Sequence, residues 1–95
     1  MGSTSRVIIS KQAEKDLEKV PFFVARKLLE WKESVEKHGL HATKGIPGYH
    51  HEPLKGHRKG QWSIRLNKAY RAFYRIGATG TVEFVEIQEV NKHDY

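Results

Sequence analysis

Between residues 61 and 90, the sequence alternates apolar and polar side chains with a period of two, in three runs broken by short turns. In Gln61 to Leu66, Trp62, Ile64 and Leu66 share one face, and Ser63 and Arg65 the other. Asn67 and Lys68 suit a tight turn. Ala69 to Ile76 alternates again, with Tyr70, Ala72, Tyr74 and Ile76 on one side and Arg71, Phe73 and Arg75 on the other. Gly77 to Gly80 reads as a second turn, and Thr81 to Val90 as a strand apolar on both faces, through Val82 and Phe84 and through Val85 and Ile87. Apolar residues on both faces mark a central strand. Strands joined by turns this short run antiparallel, because a parallel return needs a crossover of a dozen residues or more. The constraint is therefore a three-stranded antiparallel meander with one apolar and one basic face.

The residues before the meander supply a second layer. Arg6 to Ile9, with Val7, Ile8 and Ile9, reads as a short buried strand, and Ser10 as the N-cap of a helix carrying Ala13, Leu17 and Val20 at helical spacing. Pro21 ends that pattern and suits the first turn of a second helix. This helix reaches about His38, with Val24, Leu28, Trp31 and Val35 on one stripe and Gly39 as its stop. Trp31 lies on the stripe and is assigned to the core. Leu40 to Gly60 loses periodicity and is punctuated by Gly45, Pro47, Gly48, Pro53, Gly56 and Gly60, so it reads as a long loop; loops of this length are often functional. Asn91 to Tyr95 reads as a polar tail. The expected fold class is α+β: an N-terminal strand, a two-helix hairpin and the meander, with the helices packed on one sheet face. Residues 1–95 are expected to form one domain, with residues 1–5 a flexible start or an expression remnant outside the fold.

Charge is concentrated in one third of the chain. The net charge is +6, and the stretch from Lys44 to Arg75 alone holds eight Lys and Arg against a single acid, Glu52. Such a field is the footprint of a phosphate-backbone partner. There is no cysteine, so disulfides and thiolate metal sites are excluded. No window resembles a membrane span or a signal peptide, which favours the cytoplasm. The phosphate-loop, nucleophile-elbow and zincin motifs are absent.

Glu52 is the first candidate for chemistry. Its basic neighbours favour the carboxylate form, which can take a proton from a ribose 2′-hydroxyl; the alternative is a loop acid neutralising Lys55 or Arg58. Arg65 and Arg71 share one sheet face on adjacent strands and can converge on a phosphate, although exposed sheet faces often carry arginine. Histidine is the natural general acid near neutral pH, and His50, His51, His57 and His93 stand in the loop and the tail. His50, His51, His57 and Glu52 match no structural zinc spacing, and no metal is expected. Tyr95, Phe73 and Tyr49 are aromatic residues able to stack on a base, or simply to pack.

The runs Glu52-Pro53-Leu54-Lys55-Gly56, Gly60-Gln61-Trp62-Ser63-Ile64-Arg65 and Tyr70-Arg71-Ala72-Phe73-Tyr74-Arg75-Ile76, with His93-Asp94-Tyr95 at the end, together resemble the RelE/ParE toxin superfamily, over roughly residues 6 to 95. The likeness is closest to toxins of the YoeB and HigB type. It implies the toxin of a bacterial type II toxin–antitoxin system, a ribosome-dependent endoribonuclease (mRNA interferase) that cuts mRNA in the 30S A site. It further implies acid–base transesterification without metal or cofactor, and a cognate antitoxin that covers the active face. Carried over by motif, Glu52 is the general base, Arg71 stabilises the phosphate, and His93 is the general acid with Tyr95 beside it. The implied RNA-binding residues are Lys55, Arg58, Lys59, Arg65 and Phe73. The HigB branch has histidine at the position of Glu52, so the chain sides with YoeB there. It departs from YoeB in Asp94, which separates His93 from Tyr95, and in a longer loop. Two other readings share the fold: a ParE-like toxin that inhibits DNA gyrase without cleaving anything, and a non-catalytic RNA-binding relative.

Overall fold

A computed structural model of the protein describes residues 4–80 and 82–92. In chain order the elements are β1 (Thr4–Ile9), α1 (Lys11–Glu18), α2 (Phe22–His38), α3 (Leu40–Lys44), β2 (Glu52–Pro53), a turn of 3₁₀ helix (Gly56–Arg58), β3 (Trp62–Arg65), β4 (Tyr70–Thr79) and β5 (Val82–Lys92). The strands form one sheet in the order β1-β5-β4-β3-β2. The expected meander is β3-β4-β5, antiparallel throughout, and β5 is central as its two apolar faces require. β2 extends the meander antiparallel to β3, and β1 closes the other edge parallel to β5. The helices carry the chain from one edge of the sheet to the other, which is how the parallel pair is connected.

The helices form where the sequence places their caps. The Ser10 side chain accepts from the Ala13 amide at 3.0 Å and starts α1. Gly39 ends α2 at φ +88°, a backbone shape that favours glycine. The α2 stripe of Val24, Leu28, Trp31 and Val35 is fully buried, together with Ile64, Ala72, Tyr74, Val85 and Ile87 from the sheet. Trp31 is thus core, its ring centroid 5.2 Å from that of Tyr74. Burying each large apolar side chain of this set contributes about 1.5–3 kcal/mol.

An irregularity in β5 keeps this face apolar. Phe73 pairs with Glu89 but Tyr74 pairs with Ile87, so Gln88 is an extra residue. This bulge resets the alternation and lets both Ile87 and Val90 face the helices. Beyond the end of β1, α1 substitutes for the missing strand: the Ser10 amide donates to the Ile87 carbonyl at 2.9 Å, and the Val90 amide to Asp16 Oδ2 at 3.0 Å. On β1 itself, Val7 donates its amide to Glu36 Oε2 at 3.3 Å. The Lys32 ammonium, bonded to Glu36, holds that carboxyl below its ordinary value.

Four expectations need correction. The stretch 40–60 is not a plain loop: it holds α3, β2 and the 3₁₀ turn, pieces of five, two and three residues that are too short for periodicity to register. Gly77 to Thr79 are not a turn, because they continue β4 and pair with Phe84, Glu83 and Val82, leaving the reversal to Gly80 at φ +60°. Asn91 and Lys92 belong to β5 and not to the tail, paired with Arg71 and Tyr70. Thr4 and Ser5, expected outside the fold, lie in β1 opposite Val82 and Glu83.

Candidate active site on the open sheet face

The face of the sheet turned away from the helices follows from the register. Trp62, Ile64, Ala72 and Tyr74 point to the helices, so the residues between them point outward. Glu52 of β2, Ser63 of β3 and Phe73 of β4 stand in one cross-strand row, and Arg65 and Arg71 in the next. The Glu52 side chain reaches diagonally across β3 to Arg71, whose Nη1 donates to Glu52 Oε1 at 2.8 Å. The Glu52 side chain is 53% exposed and that of Arg71 17%. An ion pair this open contributes about 0–1 kcal/mol, so it does little to hold the fold. Arg65 opposes Arg71 directly, and like charges in that relation repel. An anion placed there would relieve the repulsion.

Arg58 fastens the preceding loop onto this face. Its guanidinium lies over the Phe73 ring, 4.3 Å from the centroid. It also donates to Glu89 Oε2 at 2.8 Å and to Gln61 Oε1 at 3.0 Å. Gly60, at φ +95°, lets the loop settle on Arg75: a Cβ there would stand 3.0 Å from the guanidinium. Of the residues expected to hold RNA, Arg58 and Phe73 are therefore engaged with each other. Lys55 and Lys59 are exposed, and Arg65 is partly buried beside Arg71. β5 runs to Lys92, one pair beyond Asn91 and Arg71. His93 and Tyr95, expected as general acid and companion tyrosine, lie outside the described residues.

The loop residues divide by face. His51 adjoins Glu52 in sequence but points the other way. Its ring stacks on Trp62 at 4.7 Å between centroids, and Nε2 bonds the Tyr74 hydroxyl. Burial, reinforced by the Lys44 ammonium, pushes the His51 pKa down to about 4, so the ring is neutral near pH 7 and serves the core. Lys44 caps the Trp62 ring, 4.4 Å from its centroid. Tyr49, a candidate base-stacking residue in the sequence, is instead buried beneath Lys27, and burial raises its phenol pKa. His50 and His57 are exposed. Among the described residues no three His, Asp or Glu side chains gather as a metal site.

Sequence reasoning missed Ser63. The alternation puts it on the outer face, but not its state: it is 1% exposed, and its Oγ has no hydrogen-bond partner among the described residues. A buried polar group left unpaired costs about 1–3 kcal/mol. The Arg58–Glu89 pair was also missed, because thirty-one positions separate the partners.

Comparison with known proteins adds the family. Residues 7–92 match the model of the ParE toxin of type II toxin–antitoxin systems. No curated protein sequence matches the chain. Among solved structures, the YoeB/ParE toxin from Agrobacterium tumefaciens is similar at a TM-score of 0.71 and 21% identity, covering 94% of this chain and 99% of the other. A YoeB–YefM complex from Staphylococcus aureus gives 0.68 and 23%, covering 97% and 100%. The archaeal RelE–RelB complex from Pyrococcus horikoshii OT3 gives 0.68 and 25%, covering 94% of each chain. No described helix is long and apolar enough to cross a membrane. With the family model spanning nearly its whole length and RelE and YoeB structures sharing its fold, this chain belongs to the RelE/ParE superfamily as a toxin of a type II toxin–antitoxin system.

Proposed function

We propose that the protein is a metal-independent endoribonuclease that cuts mRNA in the ribosomal A site. The observation that carries this reading is the Glu52–Arg71 pair: the only acid of the basic stretch touches an arginine on the open sheet face, with Arg65 beside it. The Glu52 carboxylate takes the proton of a ribose 2′-hydroxyl, and the 2′-oxygen attacks the adjacent phosphorus. The bond from phosphorus to the 5′-oxygen breaks, leaving a 2′,3′-cyclic phosphate. The departing 5′-oxygen is protonated by the general acid, the role proposed for His93. Arg71, with Arg65, stabilises the charge that grows on the phosphate oxygens. Lys55 and Lys59, exposed on the loop, add attraction for the RNA backbone. Tyr95 is assigned a supporting role to His93. The YoeB–YefM and RelE–RelB neighbours are toxin–antitoxin complexes, which supports a cognate antitoxin as protein partner. The ribosome as target places the action in the cytoplasm.

A ParE-like action on DNA gyrase is the second reading, favoured by the description of the matching family model; it leaves the acid–arginine pair without use. Primer extension on mRNA-programmed ribosomes, run beside a gyrase supercoiling assay, separates the two. The proposal expects discrete cuts at the A-site codon and undisturbed supercoiling. Inhibited supercoiling with intact mRNA would establish the second reading, and ribosome binding without cuts would establish a non-catalytic relative.

A further inference from the structure

Ser63 is the residue of β3 that stands directly between Glu52 of β2 and Phe73 of β4. Its neighbours Trp62 and Ile64 turn to the helices, so its hydroxyl lies on the same face as the Glu52–Arg71 pair, which crosses β3 at that point. The residue is 1% exposed, and its Oγ has no partner among the described residues. Directly opposed residues hold their Cβ atoms about 4.5–5.5 Å apart. A glutamate carboxylate spans that gap with a change of rotamer, and a serine hydroxyl rotates freely to aim its proton.

An arriving phosphate changes the pairing. The planar guanidinium of Arg71 fits a phosphate in a two-bond fork, which draws it from the single bond it makes to Glu52 Oε1. The Glu52 carboxylate then loses the one donor it has among the described residues, on a face open to water. Ser63 is the unspent donor opposite.

We infer that Ser63 is a positioning residue: when RNA phosphate engages Arg71, the Ser63 hydroxyl takes over the Glu52 carboxylate and holds it in place to receive the 2′-hydroxyl proton. Buried as it is, Ser63 acts through Glu52 and does not touch RNA. The inference rests on the reading of Glu52 as the base.

The test compares Ser63→Ala, Ser63→Thr and Glu52→Gln in the full chain, by melting temperature and by cleavage rate against pH on mRNA-programmed ribosomes. Ser63→Ala is expected to melt at or above the wild-type temperature, because an unpaired buried hydroxyl is gone. It should cleave about tenfold more slowly or worse, the effect of losing a hydrogen bond to a charged group. The acidic limb of its rate profile should move to higher pH, since the lost donor favoured the carboxylate. Ser63→Thr, which keeps the hydroxyl, should recover most of the rate. A wild-type rate and profile in Ser63→Ala, with Glu52→Gln inactive, overturns this inference and leaves the proposed function standing. A slow Ser63→Ala that melts lower and is not recovered by Ser63→Thr overturns it as well, since the effect is then on the fold alone. Wild-type cleavage by Glu52→Gln overturns both readings.

Discussion

Alternate residues of the same strands build two unlike surfaces. On the helix side, Ile64, Ala72 and Tyr74 are fully buried, and the one phenol among them is bonded to His51. On the outer side, Glu52 and Arg71 meet in an open ion pair, Arg65 opposes Arg71, and the buried Ser63 hydroxyl has no partner among the described residues. The inner face is satisfied by the protein itself. The outer face has repulsion and an unspent donor that a bound anion would resolve. Local rules broken on one face and obeyed on the other point to where function resides. Stability and activity should accordingly respond to different substitutions.

The largest break on the inner side is Trp31→Ala. Removing a ring that is 1% exposed and packed on Tyr74 should cost about 3–5 kcal/mol, read as a drop in the denaturant midpoint at unchanged slope. A loss under 1 kcal/mol would mean the face is not the core it looks to be.

His51 gives a smaller, pH-dependent break. Its folded-state pKa of about 4 lies below the ordinary 6.5, so the unfolded chain binds the proton more readily. The contribution of neutral His51 is complete above about pH 6.5 and is lost progressively as the pH falls toward about 4. Denaturation curves across that range should show the decline, and His51→Gln should flatten it. An equal decline in the variant would assign the effect to other groups.

Arg58→Ala should cost less stability than Trp31→Ala. It removes a half-open ion pair to Glu89 and a cation–π contact on Phe73, together about 1 kcal/mol. Hydrogen exchange should quicken at residues 56–60, which Arg58 ties to the sheet, and stay unchanged in α2. Unchanged exchange at 56–60 would show that the loop is held by other means.

The sequence made most of the inner face legible, because burial imposes a period. The α2 stripe of Val24, Leu28, Trp31 and Val35 and the alternation of β3 and β4 both follow from it. What was not legible lacks a period. Elements of two to five residues between 40 and 58 carry too few positions to show one, and Gly77 looks like a turn while lying in a strand. The partners of the candidate site were half legible. The charge pattern singled out Glu52, the strand alternation put Arg71 with Arg65 on one face, the resemblance picked out both Glu52 and Arg71, and the structure brings them to 2.8 Å. Their meeting depends on β2 pairing with β3, which the sequence did not reveal. The state of Ser63 depends on what lies above it in three dimensions, and no spacing encodes that.

With Glu52 as the proposed base, the outer face is expected to carry chemistry while contributing little to the fold. The direct measurement is Glu52→Gln, assayed in one preparation for melting temperature and for mRNA cleavage on programmed ribosomes. Loss of the proton acceptor should reduce cleavage by about 10²–10⁴-fold, while stability shifts by no more than about 1 kcal/mol, the range of an exposed ion pair. Cleavage within threefold of wild type in a folded Glu52→Gln protein would mean that Glu52 is not the base.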